Sequence, residues 1–333
     1  MPKQFLSLTG DGKTMIQLTV ERILPMVDIQ DVFIATNRNY KALVREQLPK
    51  LPEENILCEP VGRNTAPCIG LGAVHIARKY EDAVMFVLPS DHLITHPQIF
   101  RRTLADATEV AEAGDNLVTI GITPMYPETG YGYIKFYPDE TLGRAYAVER
   151  FVEKPDLETA RYYIGTQQYL WNSGMFIWKV STILKNLQAL MPETYAGLRR
   201  IGAAIGKEEQ ETVLEREFQA FRSESIDYGI MEKADGIYIL AGSFGWDDVG
   251  SWLAIERLQE RNEFGNVVKG TVVTVDTKNT IIQGSNRLIA AVGLEDLVII
   301  DTDDALLVCA KNSTGDIKKV IENLKICNRT EYL

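Results

Sequence analysis

"AVMFVLPSD" (83–91) runs six apolar residues together and then stops on a proline, a serine and an aspartate. An apolar run of this length, bounded by turn residues, reads as a buried strand. The stretch that follows it, PQIFRRTLADATEVAEAG (97–114), has helical spacing. The same pair of signals recurs on both sides: DVFIATN (31–37) before YKALVREQL, NILCEP (55–60) before APCIGLGAVHIARKY, and NLVTIGI (116–122). Strand and helix in alternation predict βαβ units, and so an α/β domain built on a Rossmann-like, mostly parallel sheet. Ligands of such sheets bind at the carboxyl ends of the strands. Asp91 therefore enters as a candidate site residue, with capping of the following helix as its competing role.

Between residues 131 and 180 the strands lengthen into YGYIKFY, RAYAVERFVEKP and YLWNSGMFIWKV, with the helix DLETARYYI among them. This region is expected to form a lobe added over the sheet. Helices dominate 181–234, followed by the strand IYILAG, the loop SFGWDDVGSW and a helix at WLAIERL (252–258). Beyond Gly265, short strands with Gly, Asn and Asp at their turns lead to a closing helix. The expected division is a large domain over 1–262 and a smaller β-rich domain over 263–333. No internal repeat stands out.

Composition excludes several classes. The chain of 333 residues carries a net charge of −11, which opposes binding to a nucleic-acid backbone. No apolar run is long enough to span a bilayer, and the first residues lack a basic segment leading into an apolar one, so the cytoplasm is the expected location. Cys58, Cys68, Cys309 and Cys327 show no CxxC spacing, so neither disulfides nor zinc are expected. "TGDGKT" (9–14) ends like a phosphate loop, but that pattern needs glycine where Ser7 stands. Gly10-Asp11-Gly12 is read as a turn before the helix TMIQLTVERILPM. His92 and His96 are separated by four residues, but Pro97 ends the element after them, which argues against a metal-binding helix.

Five further segments place polar groups where a ligand could use them. GWDDVGSW supplies Asp247 and Asp248 in a glycine-bounded loop, where one carboxylate can cap a helix and the other join a distant aspartate on a hard divalent cation. EPVGRNTAP enters a helix through Arg63 and Asn64, which suits a nucleotide base or phosphate and equally a plain capped helix. ETGYGYI puts glycines around Tyr131, for close backbone approach or for a bulge. FVEKP offers Glu153 and Lys154, which could meet sugar hydroxyls and a phosphate or form a surface ion pair. WNSGMF adds Asn172, donor and acceptor in one group.

Taken in order, PKQFLSL, EPVGRNTAP, VLPSDH, ETGYGYI, FVEKP, WNSGMF, SIDYGIMEK and GWDDVGSW resemble the sugar-1-phosphate nucleotidylyltransferases, and within them the guanylyltransferases that act on mannose 1-phosphate. The resemblance implies the nucleotidyltransferase (GT-A-like) fold, with a β-helix-like C-terminal part that helps form homodimers. It implies that a guanylyl group passes from GTP to α-D-mannose 1-phosphate, giving GDP-mannose and pyrophosphate. Asp91 and Asp248 would be the Mg²⁺ ligands. Gly132, Glu153, Lys154, Asn172 and Asp227 would hold the sugar phosphate, Arg63 and Asn64 would lie near the guanosine, and Lys3 would contact the triphosphate.

Members of that family open with a strand and a GGxGTRLWPLSR loop before PKQF, which here is residues 2–5. The expectation is that this strand and loop lie upstream of Met1. Made from Met1, the chain is then expected to be poorly soluble or unstable and to have negligible activity, with a slot in its sheet and Lys3 at the rim. The alternatives are a uridylyl- or thymidylyltransferase for another sugar 1-phosphate, and an inactive paralogue that binds sugar nucleotides.

Overall fold

The computed structural model describes residues 1–9, 12–250, 254, 256, 259–329 and 332. The turn expected at Gly10-Asp11-Gly12 and the helix expected at WLAIERL lie largely outside these residues. The chain divides into two units, one of Met1–Leu6 with Thr14–Trp246, the other of Ser7–Lys13 with Asp247–Leu333.

In the first unit the expected alternation is present. Helix α1 (Met15–Ile23) precedes β1 (Ile34–Asn37), α2 (Lys41–Gln47), β2 (Ile56–Glu59), α3 (Thr65–Lys79), β3 (Val84–Val87), β4 (Leu93–Ile94), α4 (Pro97–Glu112) and β5 (Leu117–Ile122). The capping box at Thr14 and Gln17 starts α1, the Asn64 side chain caps α3, and Pro97 opens α4 at the one position where its missing N–H costs nothing. Then come β6 (Tyr133–Leu142), β7 (Ala145–Val152), α5 (Leu157–Thr166), β8 (Tyr169–Lys179), the helices α6 (Val180–Leu190), α7 (Pro192–Ala204) and α8 (Gln210–Ala220), a π-helical turn Asp227–Met231, and β9 (Ile237–Gly242).

Six strands form one mixed sheet in the order β3-β8-β5-β9-β7-β6. Strands β5 and β9 are parallel, and β3 shares their direction because both it and β5 run antiparallel to β8. The α/β class holds, with a correction: β6, β7 and β8, expected in a lobe added over the sheet, are all strands of it, so that among its described pairings β5–β9 is the parallel one. β8 lies between β3 and β5. Its composition explains the position, since Tyr169, Leu170, Trp171, Met175, Phe176, Ile177 and Trp178 are all buried, a run that needs cover on both faces. Strands β1 and β2 pair in parallel as a separate two-stranded sheet.

Strand β8 carries a two-residue bulge. Met175 pairs with Ile120 and Asn172 with Gly121, leaving Ser173 and Gly174 without ladder partners. Side chains replace the lost ladder: the Ser173 hydroxyl donates to the Ile120 carbonyl and accepts from the Met175 N–H, while the Thr119 hydroxyl donates to the Met175 carbonyl. Gly174 takes the left-handed conformation, φ 67°, that the bend requires. Opposite it, a Cβ on Gly121 would come within 2.6 Å of Leu170 and 2.5 Å of Ile239.

The second unit stacks short parallel strands. β10 (Val267–Lys269), β12 (Ile281–Gln283) and β14 (Leu297–Asp301) pair in register, and β15 (Leu306–Ala310) closes the layer antiparallel to β14. β11 (Val272–Val275) and β13 (Ile289–Val292) form a second, parallel layer, and α9 (Ile317–Ile326) follows. Val267, Ile281 and Val298 stack as one core, and Ile282, Ala291 and Ile299 as another. The Asn266 side chain bridges two turns, donating to Thr277 O and accepting from Thr280 N–H. Parallel coils built this way agree with the expected β-helix-like part.

Two glycines separate crowding from chain entropy. Gly121→Ala is expected to destabilise by about 1–3 kcal/mol through overpacking at the bulge. Gly165→Ala, inside α5 with open space around it, is expected to stabilise by about 0.5–1 kcal/mol. Urea unfolding of both variants measures the contrast.

Candidate functional site

The bulge aims Asn172 at the polar end of the sheet. Its backbone N–H donates to Gly132 O at 2.8 Å, its Nδ2 donates to Asp227 Oδ1 at 2.8 Å, and its Oδ1 accepts from Gly174 N–H at 3.0 Å. A Cβ on Gly132 would meet ordinary contacts, 3.7 Å from that of Asn172 and 3.5 Å from Val152 O. The next residue in the π-helical turn, Tyr228, donates its hydroxyl to Glu153 at the end of β7. Four of the five expected sugar-side residues, Gly132, Glu153, Asn172 and Asp227, are thus tied into one cluster. Lys154 is exposed beside them, and its N–H donates to Glu153 at 3.3 Å.

The electrostatics of this cluster are uneven. Burial raises the affinity of Asp227 for its proton, the Asn172 hydrogen bond works against that, and Glu153 reinforces it. Glu153 is held low, chiefly by the Tyr228 hydroxyl and then by its bond from Lys154 N–H, while Tyr228 is pushed up to about 12 by the same carboxylate. Burial, with the charges of Glu153 and Asp227, also raises Glu232. A pocket of this kind favours ligands that bring hydroxyl donors to carboxylate acceptors.

The loop before α3 adjoins the cluster. Ala66 N–H donates to Glu224 O, Glu224 N–H to Arg63 O, and Ile226 N–H to the Thr65 hydroxyl. Arg63 braces this loop by donating to the last carbonyls of α8, Phe218 O at 2.8 Å and Gln219 O at 2.6 Å. Asn64, at φ 66°, caps α3 and also lines an open cleft of about 420 Å³ with Arg222, Glu224, Tyr228, Glu232 and Lys233.

Asp91 lies just past the carboxyl end of β3, with Lys3 Nζ at 3.0 Å and His92 Nε2 at 3.9 Å. The indole N–H of Trp246 donates to His92 Nδ1 at 3.1 Å, so a neutral His92 carries its proton on Nε2, the nitrogen nearer Asp91. From His92 a file of edge-to-face rings runs through Trp246, Tyr131 and Trp171. It ends beside Asn172. In the second unit, Asp248 accepts from Gly250 N–H at 2.9 Å and Asp247 from Val249 N–H at 2.8 Å. Val249 is held at φ 48°, a strained conformation for a β-branched residue.

No three His, Cys, Asp or Glu gather into a metal-ligand group among the described residues. Each unit by itself carries carboxylate oxygens, at Asp91 in the first and at Asp248 in the second, a hard-ligand chemistry of the kind that divalent cations take. Three residues not singled out from the sequence belong to this region. Tyr228 and Trp246 could have been found only as neighbours of Asp227 and Asp247. Glu59 ends β2, and the signal for it was a carboxylate closing an apolar strand before a proline.

The sequence model of the nucleotidyl transferase family matches residues 1–263, and that of the MannoseP isomerase/GMP-like β-helix domain matches 270–324. The chain belongs to the nucleotidyl transferase family. Within it, the similarity is to mannose-1-phosphate guanylyltransferases: it is 39% identical to mannose-1-phosphate guanylyltransferase 2 of Escherichia coli O157:H7, covering 100% of this chain and 70% of that one. It is 40% identical to the xanthan biosynthesis protein XanB of Xanthomonas campestris, over 99% of this chain and 70% of the relative. A solved structure from Thermus thermophilus, described as a mannose-1-phosphate geranyltransferase, superposes with a TM-score of 0.87 at 33% identity, over 97% of this chain and 92% of its own. Enzymes of this family generally use a divalent metal. No helix among the described residues is long and apolar enough to cross a membrane.

Glu59 gives the site a pH signature. Burial lifts its carboxyl from 4.5 to about 7, against a partial lowering by the Cys68 thiol. The folded state therefore holds this proton more tightly than the unfolded one, so the contribution of Glu59 to stability falls as pH rises from about 4.5 to about 7 and is level above that. Glu59→Gln lacks this slope. Thermal melts are expected to show the variant gaining stability relative to the parent between pH 5 and pH 8.

Proposed function

We propose that this chain transfers a guanylyl group from GTP to α-D-mannose 1-phosphate, releasing pyrophosphate and forming GDP-mannose. The observation that carries the reading is the chain-length similarity to mannose-1-phosphate guanylyltransferases, and the linked cluster of Gly132, Glu153, Asn172 and Asp227 agrees with it. The reaction is an in-line displacement: a phosphate oxygen of the sugar phosphate bonds to the α-phosphorus of GTP as the bond from that phosphorus to the pyrophosphate oxygen breaks. One anion must approach another, so stabilising charge matters more than proton transfer.

In this reading Lys3 meets the triphosphate, and its ion pair with Asp91 holds the ammonium in place until substrate arrives. Lys154 meets the sugar phosphate, and Glu153, Asn172 and Asp227 accept or donate to the sugar hydroxyls over Gly132. Arg63 and Asn64 flank the guanosine. Asp91 and Asp248 hold Mg²⁺, which when bound neutralises phosphate charge and fixes the line of attack. The reading includes a homodimer and a cytoplasmic location.

Incubation of the purified chain with mannose 1-phosphate and GTP, UTP or dTTP tests it: pyrophosphate release is expected with GTP, and turnover only with UTP or dTTP would replace the reading by the uridylyl or thymidylyl one. Asp91→Asn and Asp248→Asn are each expected to lower kcat by roughly a hundred- to a thousand-fold with the fold intact by circular dichroism. Glu153→Gln is expected to raise KM for mannose 1-phosphate more than KM for GTP, because a site built for a hydroxyl rejects what it cannot bond.

A further inference from the structure

The π-helical turn Asp227–Met231 serves two strands at once. Its Glu232 N–H donates to Asp227 O at 2.9 Å, five residues back where an α-helix reaches four. Such single wide turns are rare and recur at functional sites. Ile226, Ile230 and Met231 are buried and clamp the turn to the core, and a Cβ on Gly229 would come within 2.6 Å of Met191 Sδ. From this fixed backbone two neighbouring side chains reach different strands. Asp227 accepts from Asn172 on β8, and Tyr228 donates its hydroxyl to Glu153 Oε1 just beyond β7.

Glu153 needs that second hold. It is exposed, and within its own segment the carboxylate is gripped by the Lys154 N–H, 3.3 Å from Oε2, a long bond for a charged acceptor. The charges around it are divided: Asp227 and Glu232 repel it, and the Lys154 ammonium attracts it. A phenol donates without adding charge to either side, and its ring is fixed by two rotatable bonds, so holding it still costs little entropy. We infer that Tyr228 is a positioning residue of the sugar-phosphate site, its hydroxyl fixing the Glu153 carboxylate so that the remaining acceptor positions face the substrate hydroxyls.

This inference rests on the guanylyl reading above, which assigns Glu153 to the sugar, and deepens it. It also gives the site a dependence on pH. The hydroxyl bonds the charged form of Glu153 and is the largest of the influences that hold its carboxyl low. Without it the ionised carboxylate is lost at a higher pH as the solution is acidified.

Tyr228→Phe keeps the exposed ring and removes the hydroxyl, with circular dichroism checking the fold. Steady-state kinetics are expected to show KM for mannose 1-phosphate raised about three- to tenfold, the low end for a hydrogen bond to a charged group because the site is open to solvent. KM for GTP and kcat are expected to stay within about twofold of the parent, the pattern of a lost substrate-binding contact. The acid limb of kcat/KM for mannose 1-phosphate is expected at higher pH in the variant than in the parent, the substrate's own titration being common to both. In a Glu153→Ala background, Tyr228→Phe is expected to change KM for mannose 1-phosphate by less than about twofold, because the group through which it acts is gone.

An unchanged KM for mannose 1-phosphate or an unmoved acid limb in Tyr228→Phe would overturn the inference and leave the guanylyl reading standing. Equal rises in KM for both substrates, or a loss in the Glu153→Ala background as large as in the parent, would overturn it too. Absence of any turnover of GTP and mannose 1-phosphate by the parent would overturn the reading and the inference together.

Discussion

The bulge between β5 and β8 is the constraint on which the cluster of Gly132, Asn172 and Asp227 depends. Two extra residues in β8 turn the strand at Asn172, and an inward-facing position in a buried strand becomes a polar group aimed at Gly132 and Asp227. The bulge leaves backbone groups without ladder partners inside the sheet, and Ser173 and Thr119 supply those bonds from their side chains. Unsatisfied backbone groups at such depth would each cost about 1–3 kcal/mol. The hydroxyls at 119 and 173 are therefore as much a part of the site as Asn172 itself.

From that bend the structure ties together segments far apart in the chain. Asn172 holds Asp227, the turn after Asp227 brings Tyr228 to Glu153, and the loop before that turn meets the start of α3 through Glu224 and Ile226. The file of rings from His92 through Trp246 and Tyr131 to Trp171 links the neighbourhood of Asp91 to that of Asn172. Edge-to-face contacts fix the rings' relative orientation. They join the end of β3 to the bulge of β8 by packing, with the Trp246–His92 hydrogen bond at one end of the file.

Charge is arranged against stability in this region. Glu153, Asp227 and Glu232 repel one another around Tyr228, and Glu59 is half-buried with no cation paired to it among the described ion pairs. Structural carboxylates elsewhere in the first unit are treated differently: Glu217 is buried between Arg200 and Arg216, which hold it low. The contrast separates a carboxylate held between two guanidiniums from carboxylates held by neutral donors.

The sequence alone determined the α/β class, the order of the strands and helices in the first unit, the β-rich character of the second, and the segments from which the candidate residues come. Each is written in short-range signals: apolar periodicity, caps at Thr14 and Asn64, turn residues, and motif spacing. The place of β8 was not legible, because an apolar run reports that a strand is buried on both faces and not which strands lie beside it. The coils of the second unit were hidden for a related reason, since their stacked positions recur at unequal spacings of 14 and 17 residues. Glu59 and Tyr228 were within segments already marked, yet their roles follow from what surrounds their side chains. Burial, orphaned hydrogen-bond capacity and shifted proton affinity are properties of neighbours contributed by distant parts of the chain, and only the tertiary structure decides them.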